Sequence, residues 1–180
     1  MSIIYITGRG GDSNTGLGSW IKEQCPDRIG LSINNQFLAL GYQDQASTVV
    51  NLVKDFDSPD TVIIANSYGA YLLLQAMLEL GDMASRVLLL SPVMGRGMIK
   101  SAMFISRPPS EHKVVKAEEE GNALAGLRVS VHVGEHDDSV NICDISKRLG
   151  IVDVYVVPKA GHDLPREYVQ RIIRPHLTPH

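Results

Sequence analysis

The sequence is poor in cysteine, in clustered charge of one sign and in long apolar runs. Only two cysteines occur in 180 residues, Cys25 and Cys143, and they lack the C-x-x-C spacing of zinc and redox sites. A disulfide framework and a structural zinc site are therefore not expected. The scarcity of cysteine predicts a reducing, cytoplasmic location.

No stretch is rich in lysine or arginine, and the formal net charge is −3. Binding to nucleic acid or to an anionic membrane depends on clustered positive charge, so neither partner is predicted. The N-terminal apolar run is too short for a signal peptide or a membrane span, and it indicates a first strand. With 44 % hydrophobic residues, the chain can bury one substantial core, and we expect a single domain over residues 1–180.

Short apolar runs typical of buried strands alternate along the chain with stretches of helical periodicity. The predicted strands are Ile3–Thr7, Arg28–Ile33, Thr61–Ala65, Arg86–Leu90, Leu127–Val133 and Val152–Val157. The predicted helices are Leu17–Cys25, Gln43–Phe56, Gly69–Leu80, Asn141–Leu149 and Pro165–Leu177. This alternation predicts an α/β fold, a single-domain three-layer α/β/α sandwich around a doubly wound, mainly parallel sheet of about six strands. Residues 91–126 leave room for a short covering segment but not for a separate cap domain.

The strongest chemical signal is a serine between the third strand and the helix that follows it. The run Ala65-Asn66-Ser67-Tyr68-Gly69 fits the nucleophile-elbow pattern G-x-S-x-G, with alanine in place of the first glycine. At such a junction, the helix N-terminus offers free N–H groups and a positive dipole end to a developing oxyanion. Ser67 is therefore a candidate nucleophile. The alternative is a serine that only caps the helix.

Polar residues also follow the fifth and sixth predicted strands. Asp137 and Asp138 come after the fifth strand, and His162 comes after the sixth, directly behind a glycine. Because the carboxyl ends of parallel strands meet at one edge of the sheet, these side chains are expected near Ser67 as a triad acid and a general base. Asp137 and Asp138 both stay open as the acid, and an Asx turn formed by the aspartates or a solvated loop histidine is the alternative interpretation.

The loop after the first strand, residues 8–16, is rich in glycine. A dinucleotide motif would need a glycine where Ser13 stands, and a phosphate-binding P-loop would need a Lys-Ser or Lys-Thr pair that is missing. The remaining functional role is an oxyanion hole, in which the N–H of Arg9, or alternatively that of Gly10, joins the N–H of Tyr68. A connector without chemistry is the competing interpretation.

A metal site is not predicted. The candidate ligands are His132, His136, Asp137 and Asp138, but His132 lies within a strand and is expected to project into the packing of the sheet. One metal ion would not reach it together with the loop residues. We expect no metal and no organic cofactor.

These motifs resemble the α/β-hydrolase superfamily, in particular its small single-domain serine hydrolases of the retinoblastoma-binding and YdeN type. The resemblance rests on segments spread over nearly the whole chain. They are Gly8–Gly11 with Trp20, Ala65–Ala70, Gly134–Asp138 and Gly161-His162. It implies a minimal α/β-hydrolase fold and a serine hydrolase that cleaves a small carboxylic ester, thioester or related acyl bond through an acyl-enzyme.

The resemblance also carries alternatives and departures. Because small relatives are named for protein binding, a catalytically weak binding module for a protein partner is the alternative function, and a homodimer stays open. Thr7 and Asn66 stand where many relatives have histidine. The resemblance favours Asp137 as the acid, because its spacing from Gly134 is that of the acidic residue in the superfamily. Relatives in the small group place the acid at the second of two adjacent aspartates, which keeps Asp138 in consideration.

Overall fold

The computed structural model describes residues 2–95 and 108–177. Six strands form one sheet in the order β2-β1-β3-β4-β5-β6, and every neighbouring pair is parallel. The strands are β1 (Ser2–Ile6), β2 (Ile29–Leu31), β3 (Thr61–Asn66), β4 (Arg86–Leu90), β5 (Val129–Gly134) and β6 (Asp153–Val157). Strand β1 is thus second from one edge, with β2 beside it at that edge and β3 to β6 following in order on its other side.

Helices cover both faces of this sheet. They are α1 (Gly16–Gln24), α2 (Asn35–Leu38), α3 (Tyr42–Phe56), α4 (Ser67–Leu80), α5 (Glu111–Glu120), α6 (Ser139–Arg148) and α7 (Arg166–Ile173). Side chains alternate along β1, so that Ile4 and Ile6 pack with α2 to α6 while Ile3 and Tyr5 pack with α1 and α7. The doubly wound α/β/α sandwich predicted from the sequence is confirmed.

The predicted elements differ from the observed ones mainly at their ends, and two observed helices, α2 and α5, lie outside the predicted elements. The last predicted helix ends early, because Pro175 lacks an N–H and lies in a 3₁₀ turn, Arg174–His176. The short helix α2 was not predicted, since its four residues show no periodicity. Part of the predicted covering segment, residues 96–107, lies outside the described residues.

None of the helices in the described ranges is long and apolar enough to cross a membrane. The single-domain organisation and the lack of a cap domain stay predictions.

Candidate active site

Ser67 lies in a strained turn at the carboxyl end of β3. Its backbone has φ +50°, the left-handed region that non-glycine residues rarely adopt. The turn packs directly against the loop after β1: a Cβ on Gly69 would lie 2.1 Å from the carbonyl oxygen of Thr7. A Cβ on Gly8 would lie 3.2 Å from the Cβ of Ser67. The second glycine of the elbow motif is therefore required sterically, and the glycine loop passes beside the serine.

Hydrogen bonds join the serine to a histidine and an aspartate from two other loops. Ser67 Oγ lies 2.8 Å from His162 Nε2, and His162 Nδ1 lies 2.9 Å from Asp137 Oδ2. The Asp137 side chain is only 5 % exposed, so this ion-pair geometry is shielded from water. The arrangement is that of a nucleophile, a base and an orienting carboxylate.

The two adjacent aspartates have different surroundings. The second carboxylate oxygen of Asp137, Oδ1, accepts a hydrogen bond of 2.8 Å from the N–H of Asp138. Asp138 directly precedes the first residue of α6, and its carboxylate accepts a hydrogen bond of 2.9 Å from the side-chain amide of Asn141. Asp137 thus contacts the imidazole of His162, whereas Asp138 accepts a hydrogen bond from a side chain in the first turn of α6.

The electrostatics of the site favour a protonated imidazole. The hydrogen bond to Asp137 raises the pKa of His162, against partial burial that lowers it, and the negative charges of Asp137 and Asp163 raise it further. An imidazolium therefore forms readily when His162 takes a proton from Ser67, as a general base requires.

Two contacts hold the backbone of the histidine loop. The hydroxyl of Ser91 donates a 2.6 Å hydrogen bond to the carbonyl of His162. A Cβ on Gly134 would lie 2.1 Å from the carbonyl oxygen of Gly161, so the end of β5 packs tightly against this loop. Sequence reasoning missed Ser91, although it directly follows β4 at the same edge of the sheet as the other site residues.

The N–H groups near Ser67 are suited to an oxyanion hole. Tyr68 is the second residue of α4, where backbone N–H groups have no acceptor within the helix. Of the two alternatives in the glycine loop, Gly10 donates its N–H to the carbonyl of Ile33 at 2.7 Å. Gly10 is therefore unavailable to an oxyanion, which leaves Arg9. Thr7 stabilises the same loop, because its hydroxyl oxygen accepts a 2.8 Å hydrogen bond from the N–H of Ile33.

These groups surround a cavity of about 220 Å³, named here the Ser67 cavity. Its walls include Ser67, His162 and the two residues whose N–H groups are candidate oxyanion donors, Arg9 and Tyr68. The full set of lining residues is Gly8, Arg9, Asn66, Ser67, Tyr68, Val93, His162 and Asp163. The cavity can hold a carbonyl group between the serine hydroxyl and the N–H donors.

The residues considered as metal ligands lie apart. His132 is 5 % exposed within β5, and its ring nitrogens contact the hydroxyls of Tyr168 at 2.8 Å and Ser130 at 3.2 Å. His136 is exposed on the loop after β5. Over the two described ranges, no cluster of three or more histidine, cysteine or acidic side chains is arranged to hold a metal ion.

The architecture is that of known hydrolases. No protein-family model matches the chain, and no curated protein sequence matches it. A monoacylglycerol lipase from Paleococcus ferrophilus superposes with a TM-score of 0.68 and 10 % identity, over 98 % of this chain and 93 % of its own. For Est1E from Butyrivibrio proteoclasticus the TM-score is 0.64 and the identity 14 %, over 97 % and 85 % of the two chains.

A lipase-esterase related protein from Clostridium acetobutylicum gives a similar result. Its TM-score is 0.64 at 12 % identity, over 97 % of this chain and 93 % of that one. At such low identity the likeness concerns the fold alone, and the retinoblastoma-binding and YdeN type stays a prediction. The chain has the α/β-hydrolase fold.

Proposed function

We propose that the protein is a serine hydrolase that cleaves a small carboxylic ester, thioester or related acyl bond. The observation that carries the proposal is the hydrogen-bonded chain from Ser67 through His162 to Asp137, with distances of 2.8 and 2.9 Å. The names of the structural neighbours, a lipase and esterases, favour an ester among the acyl bonds.

The proposed reaction has two halves. Ser67 Oγ attacks the carbonyl carbon while His162 Nε2 takes its proton, and the N–H groups of Tyr68 and Arg9 stabilise the resulting oxyanion. The imidazolium then protonates the leaving oxygen or sulfur, which departs as an alcohol or thiol and leaves an acyl-enzyme. Water, deprotonated by the same imidazole, releases the carboxylic acid and restores the serine. Asp137 holds the imidazole in the tautomer that both halves need.

Every step uses a protein group or water, so the proposal needs no metal or organic cofactor. We also propose that the enzyme acts in the reducing cytoplasm. The two cysteines support this, because Cys25 and Cys143 are both free.

Labelling with a fluorophosphonate probe tests the proposal, because the probe reacts with an activated serine. We expect the wild type to be labelled and Ser67→Ala to be unlabelled while its circular dichroism is unchanged. Ser47→Ala is the matched control, since Ser47 is exposed on α3, and it should label like the wild type. A folded wild-type protein that takes no label would contradict the hydrolase and favour the binding module.

A further inference from the structure

A second cavity, of about 240 Å³, opens between α1, α7 and the carboxyl ends of β1 and β4. We name it the α1–α7 pocket. Asn66, His162 and Asp163 line both this pocket and the Ser67 cavity, so the two spaces adjoin at the histidine. The proposed mechanism, by itself, gives the α1–α7 pocket no role.

The chemistry at His162 decides which part of a substrate enters the pocket. The leaving atom must lie within hydrogen-bond reach of Nε2 to receive its proton, whereas the carbonyl oxygen must face the N–H groups of Tyr68 and Arg9. Tyr68, Arg9 and Ser67 line the Ser67 cavity and are absent from the walls of the α1–α7 pocket. The group attached to the leaving atom therefore extends past His162 into the α1–α7 pocket, and the acyl group stays beside Ser67.

The walls of the pocket determine the chemical class of that group. Its inner surface is mostly apolar, being formed by Tyr5, Leu17, Leu90, Leu164 and Val169. Asp163 and Arg166 also line the pocket with opposite charges, and His162 beside them is neutral in the state that takes the proton of Ser67. An uncharged, apolar group is favoured over an anionic or a cationic one.

The volume sets the size of the group that the pocket can enclose. At about 30 Å³ for each group of water or methylene size, 240 Å³ holds about eight such groups. The Ser67 cavity is no larger, at about 220 Å³, and it must also hold the reacting carbonyl. The larger apolar part of the substrate is thus expected on the leaving-group side.

We propose that the α1–α7 pocket binds the leaving group of the substrate, an apolar alcohol or thiol of up to about eight carbon atoms. This assignment rests on the proposed serine hydrolase. It makes the enzyme selective for the length of the alcohol or thiol rather than for the length of the acyl chain.

Two ester series test the assignment in the wild type. In the first, acetate esters of straight-chain alcohols lengthen the leaving group, and in the second, ethyl esters of straight-chain acids lengthen the acyl group. Each methylene buried in the pocket should raise kcat/KM roughly three- to fourfold in the acetate series until the pocket is full. The ethyl-ester series should show no comparable rise.

Substitutions that fill the α1–α7 pocket then test whether the rise of kcat/KM along the acetate series comes from binding in this pocket. Leu164→Trp and Leu17→Trp enter it from two different segments, so that one variant remains if the other fails to fold. Both should lose the gain along the acetate series, and methyl acetate should be affected least. Val93→Phe is the matched control on the Ser67 cavity. It should shorten the accepted acyl chain and leave the slope of the acetate series intact.

Fluorophosphonate labelling of Ser67, done on the same samples, separates the two proposals. A labelled wild type with a flat acetate series overturns the pocket assignment alone. The pocket assignment is also overturned if the wild type is labelled but Leu164→Trp and Leu17→Trp change the preference for acyl length and not the preference for alcohol length. An unlabelled, folded wild type overturns the serine hydrolase, and the pocket assignment with it.

Discussion

Two regions of this molecule each contain a histidine, one half-buried and one buried, and they give the imidazole opposite properties. At the carboxyl edge of the sheet, His162 lies 2.9 Å from the carboxylate of Asp137, which raises its pKa. Between β5 and α7, burial lowers the pKa of His132 to about 4. One ring is prepared to accept a proton, and the other is kept neutral.

The difference comes from the neighbours. His132 contacts the neutral hydroxyls of Tyr168 and Ser130, and it stacks on the ring of Tyr155 with the centroids 4.9 Å apart. The negative charge of Asp153 raises its pKa, but less than burial lowers it. A contacting carboxylate therefore distinguishes His162, the proposed general base, from His132, which packs against neutral groups. The predictions below test that distinction, from the largest expected effect to the smallest.

Removing the carboxylate that contacts His162 should have the largest effect, because this carboxylate is what distinguishes the surroundings of His162 from those of His132. Asp137→Asn keeps the shape of the side chain but cannot hold the imidazole in the required tautomer. We expect kcat/KM to fall about 10³- to 10⁴-fold, as it does after the same change in Ser-His-Asp enzymes. Asp138→Asn is the matched control, because its carboxylate contacts Asn141 at the start of α6, and it should retain most activity. The reverse ranking would assign the triad acid to Asp138.

The low pKa of His132 should make the free energy of unfolding depend on pH in the acid range. Because the pKa of His132 is near 4 in the folded protein and about 6.5 when unfolded, only the unfolded chain binds the proton between these values. The free energy of unfolding should thus fall by about 3 kcal/mol as the pH drops from about 6.5 to about 4. Urea unfolding at several pH values measures this slope.

His132→Gln checks the assignment of that slope. The variant cannot titrate, so its stability should depend less on pH over the same window, even though it is less stable at pH 7. An unchanged slope would contradict the prediction. The raised pKa of His162 changes stability in the opposite direction. Its contribution to the free energy of unfolding is fully present below about pH 6.5 and is lost as the pH rises through the raised pKa.

His162, the proposed general base, should instead control the pH dependence of the reaction. Only neutral His162 can take the proton of Ser67, so kcat/KM should fall about tenfold per pH unit below its pKa. Because that pKa is raised, the inflection should lie above pH 6.5. His132→Gln should leave the inflection in place, and a shift in this variant would mean that the two histidines are coupled.

The smallest expected effect concerns the backbone of the histidine loop. Ser91→Ala removes the hydrogen bond to the carbonyl of His162, a loss of about 1 kcal/mol in positioning, and kcat should fall about fivefold with little change in KM. Ser85→Ala is the control at the other end of β4, where Ser85 bonds to Asp57. It should lower stability without changing kcat, and equal losses of kcat in both variants would show a general effect of stability.

The sequence predicted the elements whose signals are local. The apolar runs of β1, β3 and β4 were placed within about one or two residues, as is usual for element ends. The elbow serine was recognised for the same reason, since strand, turn and helix are contiguous around Ser67. The polar helix α5 was not predicted as an element, because only Val114 and Ala117 on it are buried and its apolar face is narrow.

Choices between adjacent loop residues needed the tertiary structure. Asp137 and Asp138 are adjacent residues of the same type, and only the folded loop shows that Asp137 contacts His162 while Asp138 contacts Asn141. Arg9 and Gly10 are distinguished as donors by the hydrogen bond from Gly10 to Ile33, a residue 23 positions further along the chain, and by the place of Arg9 in the wall of the Ser67 cavity.

The sequence by itself thus determined the α/β alternation, the strand-turn-helix junction at Ser67 and the chain order of the candidates Ser67, Asp137 or Asp138, and His162. Each candidate was found from the local pattern of residues around it. The tertiary structure alone decided which aspartate contacts the imidazole, which N–H stays available, and where the α1–α7 pocket lies. These depend on contacts between segments tens of residues apart, whose relative positions are fixed only when the sheet and its two helical layers pack together.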